Sequence, residues 1–498
     1  MAGFFTGFLE LTISERHLWG MQADVGFGGL TVAGVALAIV LPNVVVQGVS
    51  AQVVVEQSLG QQSVPEQAPA VLSNSGQNLD TPHVGHPHEV LAPQVTTGPF
   101  NKLNISLDLL FAVGSSTERD AQLLELQGGE HDPRRRGVTI QQAELQLNGT
   151  VDKWFTAQGV LVAFLDPDGE TVLELEEAFL QTTNLPHRFQ AKVGHYFTEF
   201  GRLNPLHPHA WDWQNQPVIM TRTFGAEGMR APGARLSWLA PTHQYLEFFI
   251  SAQNSNGETM ASFGSSDEAY EERPVGGRLF GRTTTDARAS NEMVWSGRAA
   301  TTFDLDEQSA FGIGASVAFG ANATGDDQQT VISGADFAYH WRASPTDLSS
   351  AFVRVQGEYL YRAFETAAQV DTAGASNVGI PSATLRDHGG YVYGLVGWEN
   401  GFAAGLRCEY ATGSGPSYLG GGTFGRNGDA FRADRIRISP LVQYQVSRFT
   451  RMRLQYDYDD SAHLSGSAHS VWLGFEVLLG AQPAARIGRD GMSGCSCR

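Results

Sequence analysis

Between Leu103 and Gly480 the chain falls into segments of roughly 10 to 15 residues in which polar and apolar side chains alternate, separated by turn-forming residues. In Arg451-Met452-Arg453-Leu454-Gln455-Tyr456-Asp457-Tyr458-Asp459 every odd position is polar and every even one apolar. The same alternation runs through Arg435-Ile436-Arg437-Ile438, Arg354-Val355-Gln356-Gly357-Glu358-Tyr359 and Arg407-Cys408-Glu409-Tyr410. Successive side chains of a strand point to opposite faces, so one face of each strand wants water and the other hydrocarbon. About 16 such segments begin near residues 102, 138, 153, 172, 188, 233, 244, 291, 308, 329, 351, 387, 402, 431, 449 and 469.

Alternation alone would also suit a soluble sandwich. The connections separate the two. Long or polar links follow the odd strands, at 114–137, 166–171, 199–232, 254–290, 321–328, 366–386, 414–430 and 461–468. Tight links follow the even ones, among them Asn148-Gly149-Thr150-Val151, Asn400-Gly401 and Val446-Ser447-Arg448. Short turns on one rim and long loops on the other belong to an all-β fold, the transmembrane antiparallel β-barrel, with short periplasmic turns and long extracellular loops. Tyr359, Tyr361, Tyr391, Tyr393, Tyr410, Tyr456 and Tyr458 then fall near the outer rim as an aromatic girdle. Trp154, Trp238, Phe303, Phe311, Trp398, Phe402 and Tyr444 form a second belt on the opposite rim. An open sheet edge in lipid leaves backbone groups unpaired, so the sheet must close, and about 16 strands leave room for an aqueous lumen.

The barrel is expected over residues 99–480. Before it, residues 1–51 read as an export signal whose apolar run Leu30–Val46 leads to small residues at Val49-Ser50-Ala51, although Glu10, Glu15 and Asp24 make the leading segment unusually acidic. Residues 52–98, rich in Gln, Pro, Ser and His, read as a disordered periplasmic linker, and 481–498 as a C-terminal tail. A hydrophobic fraction of 42% is too low for a bundle of membrane helices. The net charge of −19 excludes a nucleic-acid partner, which would need a basic stripe.

The inward rows carry the candidate pore lining: Arg354, Glu358, Arg407, Glu409, Arg435, Arg437, Arg451, Arg453, Asp457 and Asp459. Mixed signs imply weak ion selectivity, and each charge reads equally well as part of a salt-bridge scaffold. His83, His86 and His88 lie close enough in the linker for a flexible segment to bring them onto one Zn²⁺ or Cu²⁺, against the ordinary reading of an inert histidine cluster. His207 and His209, with Asp212 nearby, are a weaker candidate in the long loop after the fifth strand. Cys408, Cys495 and Cys497 make no disulfide framework. No nucleophile elbow, His-Glu-x-x-His pair, P-loop or dinucleotide fingerprint occurs, so an enzyme is not expected and no cofactor is required, with Zn²⁺ the one metal left open.

Residues 194–241, GHYFTEFGRLNPLHPHAWDWQNQPVIMTRTFGAEGMRAPGARLSWLAP, resemble a family of Gram-negative outer-membrane proteins often labelled zinc-regulated TonB-dependent receptors. The likeness continues more faintly into the closing strand, residues 469–480. It implies an outer-membrane address and metal-linked regulation or uptake. Energy-coupled receptors of that label have about 22 strands and a folded plug, whereas only 52–98 precedes the barrel here, which suits a porin better. The long loop within this stretch is a candidate constriction, with Phe197, Phe200, Trp211 and Trp213 supplying bulk, or else packs on its neighbours outside the barrel. The expectation is a passive channel for small hydrophilic solutes or ions in the outer membrane of a Gram-negative bacterium. The alternative is a metal-linked receptor or uptake protein. Its partners are lipid and the permeant solutes, with trimerisation left open.

Overall fold

The computed structural model describes residues 103–480 apart from 267–274, 278–292, 326, 348, 372–377, 420 and 421. The expected export signal, the linker with His83, His86 and His88, and the tail with Cys495 and Cys497 lie outside the described residues.

Sixteen antiparallel strands close on themselves. They are β1 (Leu103–Ser116), β2 (Gly137–Thr150), β3 (Phe155–Leu165), β4 (Thr171–Thr182), β5 (Phe189–Phe197), β6 (Arg230–Leu239), β7 (Tyr245–Asn254) and β8 (Met293–Asp304). Then come β9 (Ser309–Ala321), β10 (Gln329–Arg342), β11 (Phe352–Thr366), β14 (Ala383–Gly397), β15 (Phe402–Ser414), β18 (Arg435–Ser447), β19 (Thr450–Ser461) and β20 (Ala468–Gly480). Two small hairpins, β12 (Gln369–Asp371) with β13 (Val378–Ile380) and β16 (Ser417–Leu419) with β17 (Gly422–Phe424), decorate the loops after β11 and β15. The seam is β1 against β20, paired from Ser106↔Gly480 to Ser116↔Ser470. Each barrel strand starts within about four residues of the position read from alternation, because a two-residue period fixes which side chains face in. The long connections follow β1, β5, β7, β11 and β15, as expected for one rim.

Along β19, Arg451, Arg453, Gln455, Asp457 and Asp459 are buried inside, while Leu454 is exposed outside. Leu173, Ile250, Val317, Leu406 and Ile436 likewise stand on the outer surface. A band of large apolar side chains around a closed sheet faces lipid, since in water it would be an aggregation surface. The chain is therefore a membrane-spanning barrel of outer-membrane type. Trp154, Phe303, Trp398, Phe402 and Tyr444 stand outward at the short-turn rim, with Phe402 and Tyr444 stacked 4.4 Å apart. Phe189, Trp238 and Phe248 continue that belt over β5 to β7. At the long-loop rim Tyr359 and Tyr410 face out. Tyr391 and Tyr393 do not belong to that girdle: they are buried on the lumenal face, bonded to carboxylates that no apolar environment would satisfy.

Two β-bulges set the interior. Across β1 the register shifts so that Gln141 is the extra residue of β2, and both Gln141 and Gln142 point inward. Across β3 the extra residue is Glu176 of β4. Outward positions change there from the odd Leu173 and Leu175 to the even Leu180, and the consecutive Glu176 and Glu177 are both buried inside.

Candidate functional site: a loop across the lumen

The connection from β5 to β6, residues 198–229, turns into the barrel rather than packing outside it. Its neck is stapled by Asn204, whose amide donates to the carbonyls of Thr198 (2.8 Å) and Met229 (3.0 Å) and whose Oδ1 accepts from Met229 N (2.8 Å). From there the loop meets wall strands all round the circle. Gly201 N donates to Ser316 Oγ on β9 (3.1 Å), Arg202 pairs with Asp336 on β10 (2.8 Å), and Leu203 N donates to Glu358 on β11 (2.8 Å). Farther along, His207 and His209 reach Glu176 on β4 (2.7 Å) and Glu144 on β2 (3.0 Å). Asp212 accepts from Arg354 on β11 and Tyr393 on β14. Trp213 Nε1 donates to Ser439 O on β18 (2.9 Å), Gln214 N to Gln455 on β19 (2.8 Å), and Val218 N to Glu409 on β15 (2.6 Å). Contacts with β2 and β4 on one side and with β9 to β19 on the other mean that the loop crosses the lumen.

The wall is shaped to receive it. A Cβ on Gly334 would stand 2.7 Å from the Phe200 ring, and one on Gly405 would stand 3.1 Å from Trp213, so glycine at these strand positions admits the loop's aromatics. Inside the loop the short helix α2 (Val218–Phe224) is buried along its whole length. With Phe200, Trp213, Met260, Phe263, Tyr391 and Tyr393 it forms an apolar nucleus within the barrel. Sixteen strands alone would leave a wide interior, and this core occupies part of it. All four expected constriction residues are buried: Phe200 packs edge-on against Phe224 at 5.2 Å, Trp213 lies 4.6 Å from Tyr393, Trp211 Nε1 donates to Leu206 O, and Phe197 ends β5 against His207.

The ten residues read as pore lining all face the interior and are buried. Arg435 and Arg437 converge on Asp459 (2.7 and 2.9 Å), and both donate to Leu126 O at the end of helix α1 (Asp120–Leu126) in the first loop. Arg451 and Arg453 bind Glu476 and also the Trp211 carbonyl. Arg407 holds Asn215 and Glu409, and Asp457 accepts from Ser439, Gln455 and Asn215. Arg354 is taken by Asp212, and Glu358 by Leu203 N and Tyr391. These charges therefore form the bed on which the crossing loop and helix α1 of the first loop lie.

A second constellation sits where the two inward loops meet β4. His207 touches Glu176 at 2.7 Å and Glu177 at 3.1 Å and lies stacked 5.8 Å from His209; Asp212 is not among its partners. Burial opposes the imidazolium form of His207, but Glu144 and Glu176 outweigh it and raise the imidazole well above its ordinary range. Beside it, His131 of the first loop approaches Glu176 at 3.4 Å. Arg230 at the start of β6 binds Glu174 and Glu227, the latter at 2.7 Å. Burial, with Glu130 and Glu176 nearby, pushes the Glu227 carboxyl well up.

No known family model matches the chain. An uncharacterized protein of Aquifex aeolicus (strain VF5) is 32% identical over 280 residues, 52% of this chain and 55% of that relative, so the chain spans about half the length of the curated relative it matches. Among solved structures, the outer membrane channel DcaP of Acinetobacter baumannii is similar, with a TM-score of 0.47, 13% identity, and 76% of this chain and 97% of that one covered. The anion-selective porin from Comamonas acidovorans gives 0.46 at 8% identity, covering 76% and 99%. The outer membrane protein OmpT of Vibrio cholerae, in its trimer form, gives 0.43 at 10%, covering 76% and 99%. The zinc-regulated receptor label gains no support from these comparisons.

His131, Glu144, Glu174, Glu176, Glu177 and Glu227 were not singled out by the sequence. Glu174 and Glu176 share a face by simple alternation, and Glu-Leu-Glu-Glu was a readable signal for that pair. Glu177 joins them only through the bulge, and His131 and Glu227 only through loops that fold inward.

Proposed function

We propose that the chain is a porin-like outer-membrane channel through which small hydrophilic solutes or ions diffuse passively, along a route narrowed by loop 198–229. The observation that carries this reading is the closed wall of sixteen strands, apolar outside and lined inside by paired arginines and carboxylates. A barrel that only anchored loops in the membrane could close with about eight strands and fill itself with side chains. The mixed-sign lining favours weak charge selectivity, and the loop's attachment through hydrogen bonds and ion pairs favours small, interrupted conductance steps.

Purified full-length protein in planar bilayers, without added metal, tests this. Stepwise currents with a cation-to-anion permeability ratio within about tenfold of unity support the channel. Silent bilayers from correctly folded, heat-modifiable protein overturn it.

A further inference from the structure

The cluster at β4 combines an ion-paired arginine with the donor set of a cation site. His131, Glu174, Glu176 and Glu227 each offer one ligand atom, and these atoms lie within 4.8 Å of one another. Atoms coordinating one ion at about 2.0–2.2 Å can be at most about 4.4 Å apart, so sub-ångström side-chain adjustments complete the set. The charge balance is lopsided. Three carboxylates face one guanidinium, that of Arg230, which meets Glu174, Glu227 and, at 3.9 Å, Glu176. The imidazole is the neutral member of such a set.

A second observation points to a ligand. His131 is 3% exposed, and its Nε2 makes no hydrogen bond, its nearest acceptor being Glu176 Oε1 of the same cluster at 3.4 Å; the buried Glu174 Oε2 and Glu227 Oε1 make none either. Buried polar atoms are ordinarily satisfied, and unsatisfied atoms on three side chains of one cluster are what a bound cation satisfies. The other ring nitrogen of His131 lies 3.1 Å from Gln141 O, the orientation in which a ligating imidazole donates its N–H to a backbone carbonyl and presents the free nitrogen to a metal. His131, Glu176 and Glu227 also line a cavity walled by Asn204, Trp211 and Gln216, which gives the cluster room for water or an entering ion. The neighbouring trio Glu144, Glu176 and His207 is a poorer site, because both nitrogens of His207 are already engaged by carboxylates.

We propose that His131, Glu174, Glu176 and Glu227 bind a first-row divalent cation of the Mn²⁺ to Zn²⁺ class inside the barrel. One imidazole with carboxylates is a donor set that these ions share. The ion joins three elements from separate stretches of the chain, adding to the hydrogen bonds they already share: the first loop through His131, the wall through β4, and the crossing loop through Glu227. Its consequence is mechanical, since occupancy pins both inward loops to the wall and lowers the frequency of wider openings.

The test uses the full chain with His83, His86 and His88 replaced by alanine, so that the N-terminal histidines do not contribute. Titration with Zn²⁺, and separately with Mn²⁺ and Ca²⁺, is read by calorimetry, and Co²⁺ is read by its visible absorption. Binding of about one ion per barrel, weakened about tenfold or more in His131→Gln and in Glu227→Gln, is expected. Both variants must retain heat-modifiable migration, which shows the barrel still folds. Binding that is absent, that persists undiminished in both variants, or that is confined to Ca²⁺ overturns the proposal. Because the titration reads the ion rather than current, its failure leaves the channel reading standing, and silent bilayers leave the metal site standing.

Discussion

Asp212, at the middle of the crossing loop, accepts a hydrogen bond from Arg354 of β11 at 2.7 Å and another from the Tyr393 hydroxyl of β14 at 3.1 Å. The pair is almost out of contact with solvent, with side-chain exposures of 10% for Arg354 and 8% for Asp212. Two adjacent wall strands thus hold one loop residue over the point where Trp213 leans on Tyr393.

That arrangement gives the first prediction. Asp212→Asn removes the buried charge that Asp212 places beside the Arg354 guanidinium, at a cost of up to about 3–5 kcal/mol. Burial raises the Asp212 carboxyl, but Arg354 and Arg451 outweigh it and hold the group below the ordinary 3.8. A depressed folded value means that the tether is fully present above the unfolded value and is lost as pH falls through the lowered one. Wild-type conductance is therefore expected to be level between about pH 7 and pH 5 as far as this pair is concerned. Asp212→Asn should show larger and noisier steps throughout that range. Single-channel recordings at the two ends of the range decide it, and a variant that behaves like wild type at both removes the tether from the account.

Trp213 offers a test of the apolar nucleus. It is 2% exposed, donates to Ser439 O, and fills the space that Gly405 leaves in the wall. Trp213→Ala should cost about 3–5 kcal/mol, mostly as a cavity between loop and wall. The barrel's backbone ladder does not depend on it, so the loss should appear as a loosened loop. Protease sensitivity confined to residues 198–229, together with raised conductance, is the expected outcome. Loss of heat-modifiable migration would instead make the loop part of the barrel's folding core.

The same contrast between wall and loop explains what the sequence disclosed. In β18 and β19, Arg435 to Asp459 declare their faces one residue at a time, because alternation is a local rule and the membrane enforces it on every strand. The destination of loop 198–229 has no such rule. Phe200, Trp211 and Trp213 look alike whether they pack outside the barrel or within it, and only their partners on the wall, Gly334, the Arg451 and Arg453 guanidiniums and Tyr393, distinguish the two. The Tyr391 and Tyr393 positions misled for the opposite reason: placement near a rim suggested a girdle, but their parity in β14 places them with the inward residues. At β4 the bulge changes parity within one strand, so Glu177 reads from sequence as lipid-facing and is found beside Glu176.

The outer face provides the last prediction, which separates a bilayer from water as the barrel's surroundings. Leu406 on β15 is 47% exposed, and the free Cys408 two residues on shares its outward face. For a surface in water, Leu406→Arg would change stability by no more than about 0.5 kcal/mol. In lipid an arginine near the bilayer midplane costs about 2–4 kcal/mol. Urea titration of the barrel refolded into lipid vesicles should show the larger value. Cys408 supplies an independent reading in a background where Cys495 and Cys497 are replaced by serine. In vesicles it should resist a charged maleimide and react with an apolar one, and react with both once the chain is unfolded. Rapid labelling by the charged reagent, with Leu406→Arg neutral, would mean that this face of β15 is wet and would overturn the lipid-facing assignment.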